Sequence, residues 1–196
     1  MQSKYEMLIQ GLLEKDFGSV DNLFPEQVIV DLRKILMNLY NEDQFQLAGI
    51  GNRLNELKEK AIRNDRIFWL NRDSKEAGIS GFYEVIEHFI AYLNRTCFTA
   101  IRNSEFHFAV YPKGSFYKRH LDQFPNDDSR RFSFILYLNE DWKEEDGGQL
   151  VLYKDLAIEI APFAGRVMFF DSSKMEHEVL VANRDRLSLT GWFKTA

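Results

Sequence analysis

From residue 104 onward the sequence is a succession of short apolar-rich segments, and this limits the possible folds more than any other feature. EFHFAVY, RRFSFILYLN, QLVLY, RVMFFD, HEVLVAN and RLSLTGWF alternate in part between apolar and polar residues. Turn signals separate them at Pro112, Lys113-Gly114, Asn126-Asp127, Gly147-Gly148 and Ala164-Gly165. Many strands at intervals of roughly ten residues close into a sandwich or a barrel.

The first hundred residues carry a different period. Residues 4–15 place Met7, Leu8 and Leu12 on one stripe, and Pro25 opens PEQVIVDLRKILMNLY, where a proline suits a first helical turn. Val28, Leu32, Ile35, Leu36 and Leu39 recur at helical spacing, as do Phe82, Val85, Ile86, Phe89, Ile90 and Leu93 in residues 81–98. RIFWL (residues 66–70) reads as a strand. Residues 41–65 follow no period, and a connection of that length in a compact domain is usually either mobile or functional. Helices first and strands afterwards give an α+β class, mainly β, with the helices on one side of a sheet. At 196 residues the expectation is a single domain, residues 1–196.

Aromatic residues make up 14% of the chain, with 17 Phe, enough to fill a sheet core or to line an apolar cavity. A net charge of -5 provides no global basic field, so nucleic acid and anionic membranes are not expected partners. The single cysteine, Cys97, excludes an intrachain disulfide and a Cys-rich zinc site. MQSKYEMLIQGLLEKD does not read as a signal peptide, and no apolar run approaches the length of a membrane span. A cytoplasmic, reducing location is expected.

Of four histidines, His88 and His107 read as surface or hydrogen-bonded core residues. His120 is followed by Asp122, and on an extended chain side chains at i and i+2 share one face. Alone, that pair is a solvated turn. His177, heading HEVLVAN, supplies a third ligand. Two His and one carboxylate form the facial triad suited to ferrous iron with open positions, although zinc accepts the same donors. Arg186 begins RLSLTGWF, where a guanidinium can grip a carboxylate through two parallel hydrogen bonds; Thr190 and Trp192 share its strand face. Together these favour an oxygen-activating centre over a structural metal.

AVYPKGSFYKRHLDQ, ILYLNEDWKEEDGGQLVLY, GRVMFFDSSKMEHEV and RLSLTGWF, with IRNDRIFWL upstream, resemble the iron- and 2-oxoglutarate-dependent dioxygenases, and among them the prolyl-hydroxylase-domain enzymes. The resemblance implies a double-stranded β-helix, or jelly roll, over residues 104–196, with residues 1–100 as helical support and substrate loop. It implies Fe(II) on His120, Asp122 and His177, and 2-oxoglutarate paired with Arg186 and Tyr137. Tyr111, Thr190 and Trp192 would line the cosubstrate pocket, and Arg130, Asp65 and Trp192 would lie near the substrate. Dioxygen is the second cosubstrate and ascorbate an expected reductant. The implied activity is peptidyl-proline 4-hydroxylation of a cytosolic protein, which is a translation elongation factor for bacterial relatives and a transcription factor for animal ones. Two alternatives stand beside it: a hydroxylase of a free amino acid or other small molecule, and a non-catalytic metal-binding sensor or interaction module.

Overall fold

The computed structural model describes residues 1–49, 62–123, 126 and 128–196. Its helices lie where the apolar period of 3.6 puts them: α1 at Gln2–Lys15, α2 at Glu26–Asn41 and α3 at Ala77–Cys97. Pro25 stands just outside α2 as its N-cap, one residue earlier than expected. The strands are β1 (Phe17–Asp21), β2 (Gln46–Leu47), β3 (Arg66–Trp69), β4 (Asn103–Tyr111), β5 (Tyr117–His120), β6 (Arg130–Tyr137), β7 (Leu150–Tyr153), β8 (Ala157–Ile160), β9 (Arg166–Asp171), β10 (Glu176–Val179) and β11 (Arg186–Lys194). Seven of them form one sheet in the order β1-β9-β6-β11-β4-β3-β2, and four form a second in the order β5-β10-β7-β8. All named pairings are antiparallel. The result is the jelly-roll architecture.

Period-two alternation on the large sheet makes two cores. Phe106, Phe108 and Val110 of β4, Phe132, Phe134 and Leu136 of β6, and Leu187, Leu189 and Phe193 of β11 pack against the helices, with Phe82, Phe89 and Leu32. The intervening residues face the second sheet: Ala109 and Tyr111, Ile135 and Tyr137, Met168 and Phe170 meet Leu150, Leu152 and Val179. Most of the phenylalanine surplus therefore serves the helix–sheet core, where Phe82, Phe106, Phe134 and Phe193 meet ring to ring. The functional residues lie on the other face.

Four strands have no counterpart in the sequence reading, one of them the two-residue β2 within residues 41–65. β1 joins the edge of the large sheet through β9. β5 is short and only partly buried, and β8 is an edge strand with three exposed residues, so neither shows an apolar alternation. β10 stops at Val179, short of the full HEVLVAN segment. Most of the expected substrate loop, residues 50–61, lies outside the described residues, as do Phe124 and Pro125 beyond the metal-ligand pair. Among the described residues, no helix is long and apolar enough to cross a membrane.

α1 sits on β1 at a contact between glycines. A Cβ on Gly18 would lie 2.3 Å from the Leu8 carbonyl oxygen, and one on Gly11 would lie 2.7 Å from the Gly18 Cα. Both neighbours are backbone, which cannot move aside cheaply. Gly18→Ala is therefore expected to destabilise the fold by roughly 1–3 kcal/mol, the usual cost of overpacking. A chemical-denaturation midpoint no lower than that of the unmodified protein would contradict this contact.

Candidate active site

The pairing of β5 with β10 sets His177 opposite His120. Asp122 follows β5 by two residues, and ligand atoms of the three side chains lie within 4.8 Å of one another. Asp122 Oδ1 is 3.6 Å from His120 Nε2, and its Oδ2 is 3.7 Å from His177 Nε2. Each imidazole is held from behind by the carbonyl two residues before it: His120 Nδ1 is 2.7 Å from the Lys118 carbonyl and His177 Nδ1 is 3.0 Å from that of Met175. With Nδ1 donating to a carbonyl, each Nε2 keeps its lone pair for an ion.

Burial pushes the His177 imidazole down to about 4 despite the pull of Asp122, so it is the neutral form a metal requires. Burial alone would raise the Asp122 carboxyl. His177, His120 and the Ser133 hydroxyl outweigh that and hold it well below the usual carboxylate range. Ser133 donates to Asp122 Oδ2 at 2.6 Å. Two imidazole nitrogens and one carboxylate oxygen, all on one side, fit a divalent ion with open positions such as Fe(II).

The same cavity runs inward to Arg186, which is 1% exposed. Its Nε donates to the Gly148 carbonyl at 2.8 Å. Its guanidinium lies 4.9 Å from the Tyr111 ring and 5.0 Å from the Tyr137 ring. Among the described residues no carboxylate pairs with it. Tyr137 is fully buried, and among the described residues its hydroxyl meets no partner at hydrogen-bond geometry, with the Arg186 guanidinium beside it. Burial raises both phenols, so each stays protonated and able to donate. A buried cation beside a buried unpaired hydroxyl is a cradle for an anion. Thr190 lines the cavity between this end and Trp192.

At the rim, the Arg130 guanidinium stacks 3.5 Å over the Trp192 ring, donates to Glu105 at 3.1 Å and reaches the Asp122 carbonyl at 3.4 Å. Arg130, not Arg131, is thus the arginine of the cavity. Asp65 is fully buried, and both its oxygens are taken by Arg63 at 2.7 and 2.6 Å. The group presented to the cavity there is Arg63, stacked 4.2 Å over Tyr117, whose own ring stacks on His120. Sequence reasoning missed Arg63 and Tyr117. The i, i+2 placement of Arg63 and Asp65 before a strand was the available signal. His88 is exposed, as expected. His107 is buried, but its Nδ1 has no hydrogen-bond partner among the described residues, contrary to expectation, and it lines the cavity.

A family model described as the 2OG-Fe(II) oxygenase superfamily matches residues 106–194. A prolyl-4-hydroxylase from Pseudomonas putida superposes with a TM-score of 0.88 at 30% identity, covering 98% of this chain and 99% of that one. A prolyl hydroxylase from Trichoplax adhaerens, solved with a peptide fragment of the hypoxia inducible factor oxygen degradation domain, has a TM-score of 0.86 at 26% identity over 97% and 89% of the two chains. The hypoxia-inducible factor prolyl hydroxylase of Caenorhabditis elegans is 30% identical over 96% of this chain, which spans 28% of that relative's length. The enzymes of this superfamily use Fe(II), 2-oxoglutarate and dioxygen, which is the chemistry that the His120–Asp122–His177 group and the Arg186 cradle can hold. The chain belongs to the prolyl hydroxylases of the 2OG-Fe(II) oxygenase superfamily.

Proposed function

We propose that the protein is a peptidyl-proline 4-hydroxylase of a cytosolic protein, and that a translation elongation factor is the first target to test. The observation that carries this reading is Arg186, a buried guanidinium with no carboxylate partner among the described residues, in the same cavity as an open three-ligand metal group. A site built only to hold a metal would not keep a buried cation waiting for an anion. The position of hydroxylation is supported by the Pseudomonas putida prolyl-4-hydroxylase, and a peptide substrate by the Trichoplax adhaerens complex.

His120, Asp122 and His177 would hold Fe(II), and Arg186 with the Tyr137 hydroxyl would hold the distal carboxylate of 2-oxoglutarate. Bound together, metal and cosubstrate supply oxygen activation, coupling decarboxylation of 2-oxoglutarate to succinate and CO2 with insertion of one oxygen atom at a C–H bond. The protein orients and dries the site. Tyr111 and Thr190 line the cosubstrate channel, and Ile135, Leu150 and Val179 exclude water from it. Arg130 braces Trp192 and the Asp122 backbone, so the wall beside the substrate and the metal-ligand loop are held by one side chain. Ascorbate is the reductant expected to sustain turnover.

The test is 2-oxoglutarate turnover with ferrous iron against cytosolic proteins, prolyl peptides and free proline, with products weighed for one added oxygen. Prolyl peptides or a protein should gain it, and His120→Ala should form no iron-dependent succinate. Oxygen added to free proline alone would make the protein a small-molecule hydroxylase. Metal binding without turnover would make it a sensor.

A further inference from the structure

His107 lies on β4 opposite Thr190 of β11 and Trp69 of β3. It is 4% exposed, lines the cavity, and its Nδ1 has no partner. The same is true of the indole Nε1 of Trp192. The rings form a continuous shelf: Trp69 to His107 at 4.9 Å, His107 to Trp192 at 5.5 Å, with Trp69 half-exposed at the mouth. Buried polar groups are nearly always satisfied, so two unmet ones side by side at one cavity wall point to a ligand.

Position excludes the cosubstrate's anchored end. Arg186 pairs with Tyr111 and Thr190 with His107, so the shelf stands four residues along both strands from the Arg186 cradle, on the order of 13 Å. Charge selects the ligand's chemistry. Burial, and after it Arg63, pushes the His107 imidazole down to about 3, so the ring is neutral. A neutral imidazole offers one donor and one acceptor, and the indole offers a donor. A carboxylate would meet the imidazole's lone pair as well as its N–H, and an ammonium group would sit in the field of Arg63 and Arg130. An uncharged amide matches the donor and acceptor together, and the tilted aromatic rings beside it offer apolar contact to a proline ring.

We propose that His107 is a specificity-determining residue that, with the Trp192 indole N–H, reads a peptide group flanking the target proline and so selects peptidyl over free proline. The proposal rests on the prolyl-hydroxylase reading above and names the residue that would enforce its substrate class.

The test compares binding of an acetylated, amidated tripeptide with proline at its centre and of free L-proline, both read by tryptophan fluorescence. The unmodified protein should prefer the capped peptide. His107→Leu should lose roughly tenfold in peptide affinity, the effect of one unmet hydrogen bond. His107→Asn, which keeps a donor and an acceptor, should retain most of it. Equal binding of the two probes by the unmodified protein would overturn the proposal, as would an unchanged preference in His107→Leu. Equal losses in both variants would mark a packing role and overturn it too. A protein that prefers the capped peptide but adds no oxygen to any prolyl peptide would uphold this inference while sinking the hydroxylase reading.

Discussion

Replacing Arg186 with Met is expected to raise the stability of the ligand-free protein and to abolish its response to 2-oxoglutarate. The guanidinium is 1% exposed and has one hydrogen bond, from Nε to the Gly148 carbonyl. Taking such a charge out of water costs several kcal/mol, and no carboxylate among the described residues offsets that cost. An apolar side chain of similar volume loses the bond to Gly148, worth about 1 kcal/mol, and the cation–π contacts with Tyr111 and Tyr137, worth about 1 kcal/mol each, but is relieved of the larger desolvation term. The desolvation of one ion, several kcal/mol, is the largest of these terms, and the net gain should be on the order of 1–2 kcal/mol. At roughly 2–4 °C per kcal/mol for a chain of this size, the melting temperature should rise by several degrees. Binding moves the other way. Losing one side of a buried charge pair costs about 2–5 kcal/mol, on the order of 30- to several thousand-fold in affinity. Calorimetric titration and melting with and without 2-oxoglutarate read both effects. A variant that melts lower and still binds 2-oxoglutarate normally would remove the anion-holding role of Arg186.

The opposite signs follow from where evolution has left a polar group unsatisfied, and that is also where linear reading stops working. The strands of the large sheet were legible because their period is two and each face meets apolar partners: Phe106, Phe108 and Val110 point one way, Ala109 and Tyr111 the other. β8 was not legible, because an exposed edge strand needs no apolar alternation. β1 was not, because Phe17–Asp21 is short and its middle is glycine and serine, held by α1 and β9 rather than by a pattern of its own.

The metal ligands were visible as residue types, and the β5–β10 register explains how residues so far apart in sequence become neighbours. Tyr117 was hidden because a cation stacked on a ring leaves no spacing in the chain, whereas Arg63 showed only through its i, i+2 spacing to Asp65. Asp65 was assigned to the substrate by likeness; its partner two residues upstream turns it into the anchor of Arg63. His107 shares strand parity with Tyr111, so its cavity-facing side could have been read, but its unmet nitrogen could not.

Asp122→Ala should cost the protein its metal, and with it all iron-dependent turnover. The carboxylate supplies the only anionic oxygen of the three-residue group and lies between the two imidazoles, at 3.6 Å from one and 3.7 Å from the other. Removing it leaves two imidazoles facing a dication with no anionic ligand to compensate its charge. The Ser133 hydroxyl, bonded to the same carboxylate at 2.6 Å, supplies the scale. Outer partners of metal ligands typically contribute roughly 10–100-fold in metal affinity or activity, so Ser133→Ala belongs in that range and Asp122→Ala well beyond it. The two variants separate charge from orientation, since Ser133→Ala keeps the anion and loses only its support. Ligand binding raises stability in proportion to the logarithm of ligand concentration over the dissociation constant. Adding Fe(II) without oxygen should therefore raise the melting temperature of the unmodified protein, raise that of Ser133→Ala less, and leave Asp122→Ala unmoved. An Asp122→Ala protein that still melts higher with Fe(II) would place the ion on other residues, and the His120–Asp122–His177 assignment would fall with it.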